Sequence, residues 1–165
     1  MKSERITGKA WVFGDNIDTD QIIQGRYLTI LDYSEMASHA LETIRPEFSK
    51  KVEKGDILVA GKNLGAGSSR EEAPMVLKKL GIACIISESF ARIFYRNSFN
   101  IGLPALLVKG ISSEVNDGDI LSVDLVSGNV ENKTSGKILS GSRIPERMLE
   151  YLQAGGAVAW YKKNY

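Results

Sequence analysis

Between residues 57 and 108 the chain alternates short apolar runs with helical patterns, and this alternation constrains the fold more than any other feature. The runs 57–60, 82–87 and 104–108 are too short for buried helices and rich in branched side chains, so they read as buried strands. Helical spacing over 71–80 and 90–97 separates them. Glu71 and Glu72 in the first turn and Lys78 and Lys79 in the last suit the helix dipole, and Gly81 stops that helix. Such a run predicts parallel strands joined by right-handed crossovers. Upstream, 8–13 reads as a strand and 14–20 as an Asp-rich loop. Residues 34–44 read as a helix with Met36, Ala40, Leu41 and Ile44 on its apolar face, Ser34 as N-cap and Pro46 ending it. Downstream, Gly118-Asp119, Ser127-Gly128-Asn129 and Ser135-Gly136 punctuate alternating segments that predict β-hairpins. Residues 145–152 and 157–162 read as two more helical pieces. The expectation is a three-layer α/β domain with an added β-rich portion, spanning 1–165 as one unit.

Composition narrows the function classes. Lys and Arg number 21 and Asp and Glu 20, so no strong field points to nucleic acid. No apolar run approaches the roughly 20 residues that span a membrane. Residues 1–5 lack the apolar stretch of a signal peptide, so a cytoplasmic protein is expected. Cys84 is the one cysteine and lies in an apolar run, which reads as a buried structural thiol. One thiol holds neither an iron–sulfur cluster nor a zinc ion by itself.

Within that frame, Gly65-Ala66-Gly67-Ser68-Ser69-Arg70-Glu71 is the segment that carries chemistry. A strand, a glycine turn and a helix start aim free N–H groups at a ligand, and the helix dipole favours an anion there. A Walker A loop needs Lys where Ser68 stands, and a dinucleotide fingerprint needs a glycine where Arg70 stands. Both fail. The segment is then either a carboxylate or phosphate site or a tight turn in which Ser68 or Ser69 caps the helix. A serine beside an arginine can do more than bind, because donors around its oxygen stabilise the alkoxide and lower its effective pKa. Arg70 can also hold a carboxylate through two parallel hydrogen bonds. His39 sits in a helical pattern and reads as a packing or surface residue.

Other segments are weaker alone. Asp15, Asp18 and Asp20 fall within six residues, but the glycine and glutamate of a calcium loop are missing, so Asx turns are the plainer reading. Gly25 to Ile30 reads as an exposed turn. Arg92 and Arg96 share one helix face, either as surface arginines or as a basic rim supporting the site.

Together, Asp18-Thr19-Asp20, the segment 61–71, residues 89–97 and Asn100-Ile101-Gly102-Leu103-Pro104 resemble, in order and spacing, the small subunit or last domain of the aconitase superfamily. The length is similar to the compact small subunits of its isopropylmalate dehydratase branch. The resemblance implies a swivelling β/β/α domain and a large partner subunit that carries a [4Fe-4S] cluster. It implies a hydro-lyase that moves a hydroxyl between neighbouring carbons of a malate-type acid. By resemblance Ser68 is the base, Ser69 and Arg70 bind a carboxylate, Asp20 lines the cleft, and the turn of Tyr27, Leu28, Thr29 and Ile30 contributes to substrate choice. Homoaconitases often carry Arg where Thr29 stands. An uncharged Thr29-Ile30 tip fits a branched alkyl group better than a carboxylate. The implied order is isopropylmalate first, citramalate or 2,3-dimethylmalate second and homocitrate-type acids third. Ala66 and Glu72 depart from common family residues. The turn is expected to be mobile without the partner.

Overall fold

The computed structural model describes residues 5–165; residues 1–4, part of the segment read for a leader, lie outside the described residues. Seven strands form one sheet in the order β4-β3-β2-β1-β5-β6-β7. They are β1 (Arg5–Val12), β2 (Ile57–Ala60), β3 (Cys84–Ser87), β4 (Ala105–Leu107), β5 (Ile120–Asp124), β6 (Asn129–Asn132) and β7 (Ile138–Ser140). The pairs β2–β3 and β3–β4 are parallel, as the alternation over 57–108 requires. The expected hairpins form the antiparallel run β5–β6–β7.

Strand β1 joins the two halves by changing partner along its length. Residues 5–9 pair antiparallel with β5, while Ala10, Trp11 and Val12 pair in parallel with β2. Arg45 secures the far end of this strand. Its guanidinium forks onto Asp117, with Nη1–Oδ1 at 3.1 Å and Nη2–Oδ2 at 2.7 Å, and Nη1 also donates to the Val12 carbonyl at 3.1 Å. The same group lies 4.6 Å above the Trp11 ring, so charge pairing and stacking hold it together.

Eight helices complete the described residues: α1 (Thr19–Ile22), α2 (Tyr33–Ala37), α3 (Phe48–Lys51), α4 (Glu72–Lys79), α5 (Arg92–Asn100), α6 (Ile111–Glu114), α7 (Glu146–Ala154) and α8 (Ala157–Asn164). The crossover helix α4 packs on α2 and α5, and α5 packs on α7 and α8. Buried Ala73, Val76 and Leu77 form the inner stripe of α4, and Phe94, Ser98 and Phe99 that of α5, the spacing of a one-sided helix. Strands β2 and β3 are buried along their whole length.

The helix expected over 34–44 is corrected. It ends at Ala37, and Asp32 caps it in place of Ser34, its carboxylate accepting from the Ser34 N–H at 2.9 Å. Met36, Ala40 and Leu41 are buried as expected, while Ile44 stays exposed. Leu41 has φ +55° and gives its N–H to the Ile22 carbonyl at 2.9 Å. The chain therefore leaves the helix to dock on α1, and Pro46 follows turns instead of ending a helix.

Backbone pairing continues past the ends of β1 and β2. Phe13 N–H donates to Val59 O at 2.7 Å, Gly61 N–H to Gly14 O at 3.1 Å and Asn16 N–H to Lys62 O at 2.8 Å. Gly65 N–H then donates to Ile17 O at 2.7 Å and Thr19 N–H to Ala66 O at 2.8 Å. On the other side Leu64 N–H reaches Ser89 O at 3.0 Å, and Ala91 N–H reaches Leu64 O at 2.9 Å. The glycine segment is thus held like a strand between two neighbours. Gly65 is required where it stands, because its φ is +89° and a Cβ would lie 2.1 Å from Cγ of Phe94.

This arrangement predicts a contrast between two glycines of the same region. Gly65→Ala should cost about 3 kcal/mol or more, from combined overpacking and backbone strain. Gly14→Ala, whose Cβ meets nothing within 4 Å, should stay within about 0.5 kcal/mol. Urea unfolding midpoints measure both.

Candidate active site

The paired loops bring Asp18, Thr19 and Asp20 against Ser68, Ser69 and Arg70. Asp18 caps α1 in a reciprocal box: its carboxylate accepts from the Gln21 N–H at 2.8 Å, and the Gln21 side chain accepts from the Asp18 N–H at 3.0 Å. That box fixes Thr19, which is buried. The Thr19 hydroxyl donates to the Ser68 carbonyl at 3.0 Å, and its oxygen lies 3.4 Å from Ser68 Oγ.

Arg70 is the centre of the constellation. Its Nε–H donates to Ser68 Oγ at 2.8 Å. Its Nη1 donates to the Ile23 carbonyl at 2.9 Å and reaches Asp20 Oδ1 at 3.4 Å. Among the described residues Nη2 has no hydrogen-bond partner. Asp20 also accepts from the Gly25 N–H at 3.4 Å. A guanidinium pinned by a carbonyl and a carboxylate cannot swing away from the serine. Its N–H points at the oxygen where negative charge would develop on deprotonation.

Ser68, Ser69 and Arg70 open onto a cleft of about 340 Å³. The opposite wall is the start of α5, including Arg92, with Asn97 further along. Ser68 and Ser69 are exposed, as a group meeting an incoming substrate must be. The alternative of a capped turn is overturned: α4 begins at Glu72, Glu71 occupies the cap position and no side chain caps it. The two serines stand clear of the helix.

The turn read as a specificity loop is placed apart. Gly25–Tyr27 form one 3-10 turn, and Tyr27, Leu28 and Ile30 pack partly against the core with Thr29 exposed. None of Tyr27, Leu28, Thr29 or Ile30 lines the serine cleft. Tyr27 stacks on His39 at 3.8 Å and donates to Glu42 at 2.7 Å. That hydrogen bond is the main reason the Tyr27 phenol is raised and the Glu42 carboxyl lowered from their ordinary values. His39 accordingly packs, as its position in the sequence implied.

Two residues escaped sequence reasoning. Thr19 stands in the sequence as one member of Asp18-Thr19-Asp20; a buried hydroxyl turned toward a distant loop leaves no one-dimensional mark. Asn97 joins the cleft only because α5 runs past it. The position of Arg92 fits the expected basic rim.

The residues present do not fit a metal cluster. Cys84 is buried within β3, and burial pushes its thiol up to about 12, far from the thiolate that metals require. Among the described residues no three of His, Cys, Asp and Glu gather to hold a metal ion, and no helix is long and apolar enough to cross a membrane.

Comparison with known proteins finds relatives of this chain and of its fold. The Aconitase C-terminal domain family matches residues 7–109. The isopropylmalate/citramalate isomerase small subunit of Methanocaldococcus jannaschii is 52% identical over 159 residues, covering 96% of this chain and 95% of that protein. The methanogen homoaconitase small subunit of Methanothermobacter thermautotrophicus is also 52% identical, covering 96% of this chain and 92% of that one. A crystal structure of a 3-isopropylmalate dehydratase from Methanocaldococcus jannaschii superposes with a TM-score of 0.93 at 43% identity, covering 98% of this chain and 95% of that chain. The match over residues 7–109, the relatives along nearly the whole chain and the superposition agree: this chain belongs to the aconitase C-terminal domain family.

Proposed function

We propose that this chain is the small subunit of a heteromeric hydro-lyase that interconverts 2-isopropylmalate and 3-isopropylmalate by dehydration and rehydration. The observation that carries the reading is the 2.8 Å hydrogen bond from Arg70 Nε to Ser68 Oγ inside an open cleft. It supports Ser68 as the proton-transfer group.

The chemistry assigned to this chain is acid–base work and carboxylate binding. Deprotonated Ser68 takes the proton from the carbon next to the one bearing the hydroxyl. As that C–H bond breaks, the C=C bond forms and the C–O bond breaks, the departing hydroxyl taking a proton from a donor outside this chain to leave as water. Water then adds, giving a proton back to that donor as its oxygen bonds the neighbouring carbon, and Ser68 gives its own proton to the other carbon. Arg70 stabilises the alkoxide through a charge-assisted hydrogen bond. The Thr19 hydroxyl, shared between the Ser68 carbonyl and Oγ, supplies a second dipole at the same oxygen. Arg70 Nη2 and the Ser69 hydroxyl are left for a substrate carboxylate. Asp20 holds Arg70 in register. We assign the [4Fe-4S] cluster of the family to a large subunit, since this chain's residues do not fit one. When bound, that cluster would supply Lewis-acid polarisation at the departing hydroxyl. The subunit closes on the substrate as a swivelling domain, in a cytoplasmic complex.

Identity alone does not select the substrate, since relatives named for isopropylmalate with citramalate and for homoaconitase match equally at 52%. The uncharged Thr29-Ile30 tip favours a branched alkyl group. Because this tip does not line the serine cleft in the isolated chain, it acts on substrate choice in the closed complex. The alternative reading, a carboxylate-binding module without chemistry, accounts for the cleft but not for a guanidinium aimed at a serine oxygen.

Anaerobic reconstitution with a cluster-bearing large subunit tests the proposal. Turnover should rank isopropylmalate above citramalate and both above homoaconitate; a preference for homoaconitate rejects the loop argument. In the same complex Ser68→Ala should lower kcat by about 10²- to 10⁴-fold, with assembly intact by gel filtration. Retained turnover would remove Ser68 as the base.

A further inference from the structure

We propose that Arg92 is the principal substrate-carboxylate ligand of this chain, a role distinct from that of Arg70 and resting on the hydro-lyase reading above. A malate-type acid brings two carboxylates. Arg70 is poorly free to grip either through a two-bond fork. Its Nε is committed to Ser68 and its Nη1 to Ile23 and Asp20, which leaves Nη2 alone. A fork onto a carboxylate needs two adjacent nitrogens.

Arg92 has what Arg70 lacks. It lines the same cleft as Ser68 from the opposite wall. It is exposed, and among the described residues its guanidinium has neither an ion-pair partner nor a hydrogen bond. Its position is also electrostatically unfavourable for an unliganded protein. Arg92 is the first residue of α5, where the helix dipole disfavours a cation, and that helix has no side-chain cap and no acid in its first turn. Among the described residues no carboxylate pairs with Arg92 at this helix start. A carboxylate placed between Arg92 and Ser68 relieves that imbalance and leaves Arg70 on the serine. Arg96, one turn further, lines a neighbouring cavity of about 470 Å³ instead and does not reach the Ser68 cleft. It therefore serves as an internal control.

The test uses the reconstituted complex. Arg92→Gln should raise KM for the preferred di-acid about 10- to 100-fold with kcat changed less than about threefold, and Arg92→Lys should recover part of the loss. Arg96→Gln should leave KM unchanged. A second readout is inhibition by isopropylsuccinate, a di-acid without a leaving hydroxyl, against its uncharged diamide. Arg92→Gln should weaken the first inhibitor and not the second. An unchanged KM in Arg92→Gln overturns the proposal, as does an equal change for both inhibitors. If gel filtration shows that Arg92→Gln mainly weakens assembly, Arg92 is a docking residue for the large subunit and the proposal also falls. A wild-type complex inactive on all malate-type acids would instead reject the parent reading, while direct binding of isopropylsuccinate to wild type and Arg92→Gln, followed by calorimetry, still reports on Arg92.

Discussion

Backbone hydrogen bonds that outlast the strands position everything else in the site. Where β1 and β2 end, their loops keep pairing from Phe13 and Val59 to Thr19 and Ala66. Loops normally carry function at the cost of order. Here the glycine segment is held on both sides, by residues 13–19 and by residues 89–91, so Ser68 sits on something close to a strand. The pairing demands a residue without a side chain at Gly65, where Phe94 fills the space. Helix α5, which carries Phe94, also carries Arg92, so packing of the loop and delivery of the second arginine are one event.

The two arginines divide their labour according to their surroundings. Arg70 is one-fifth exposed and tied down at Nε and Nη1, which suits a group that must stabilise a charge appearing briefly on a fixed oxygen. Arg92 is exposed and, among the described residues, has no ion-pair partner, which suits a group that waits for an incoming anion. A preorganised donor costs no rearrangement during the reaction, whereas a mobile ligand can follow a substrate through domain closure. The single thiol of this chain is buried in the middle of the sheet, where burial pushes it up to about 12.

Much of this was legible in the residues because the responsible forces are local. Branched runs at 57–60 and 82–87, acids and lysines at the two ends of α4, and Gly81 each act within a few residues of where they are read. The glycine–serine–arginine segment was found the same way. The errors arose where distant contacts decide. Leu41 left the expected helix because its N–H bonds to Ile22 across the fold. Ser34 lost the cap to Asp32, two residues earlier. Thr19 became part of the site through Ser68, 49 positions away. The turn from Tyr27 to Ile30 stands outside the serine cleft, with Tyr27 stacked on His39.

On the proposed reading, Ser68 of this subunit moves the substrate proton. Deuterium exchange into bound isopropylmalate, followed by NMR in heavy water, tests it most directly in a complex reconstituted with Ser68→Ala. The account predicts no label at the abstractable carbon position while the di-acid still binds. Label appearing at the wild-type rate would contradict it and place the base elsewhere.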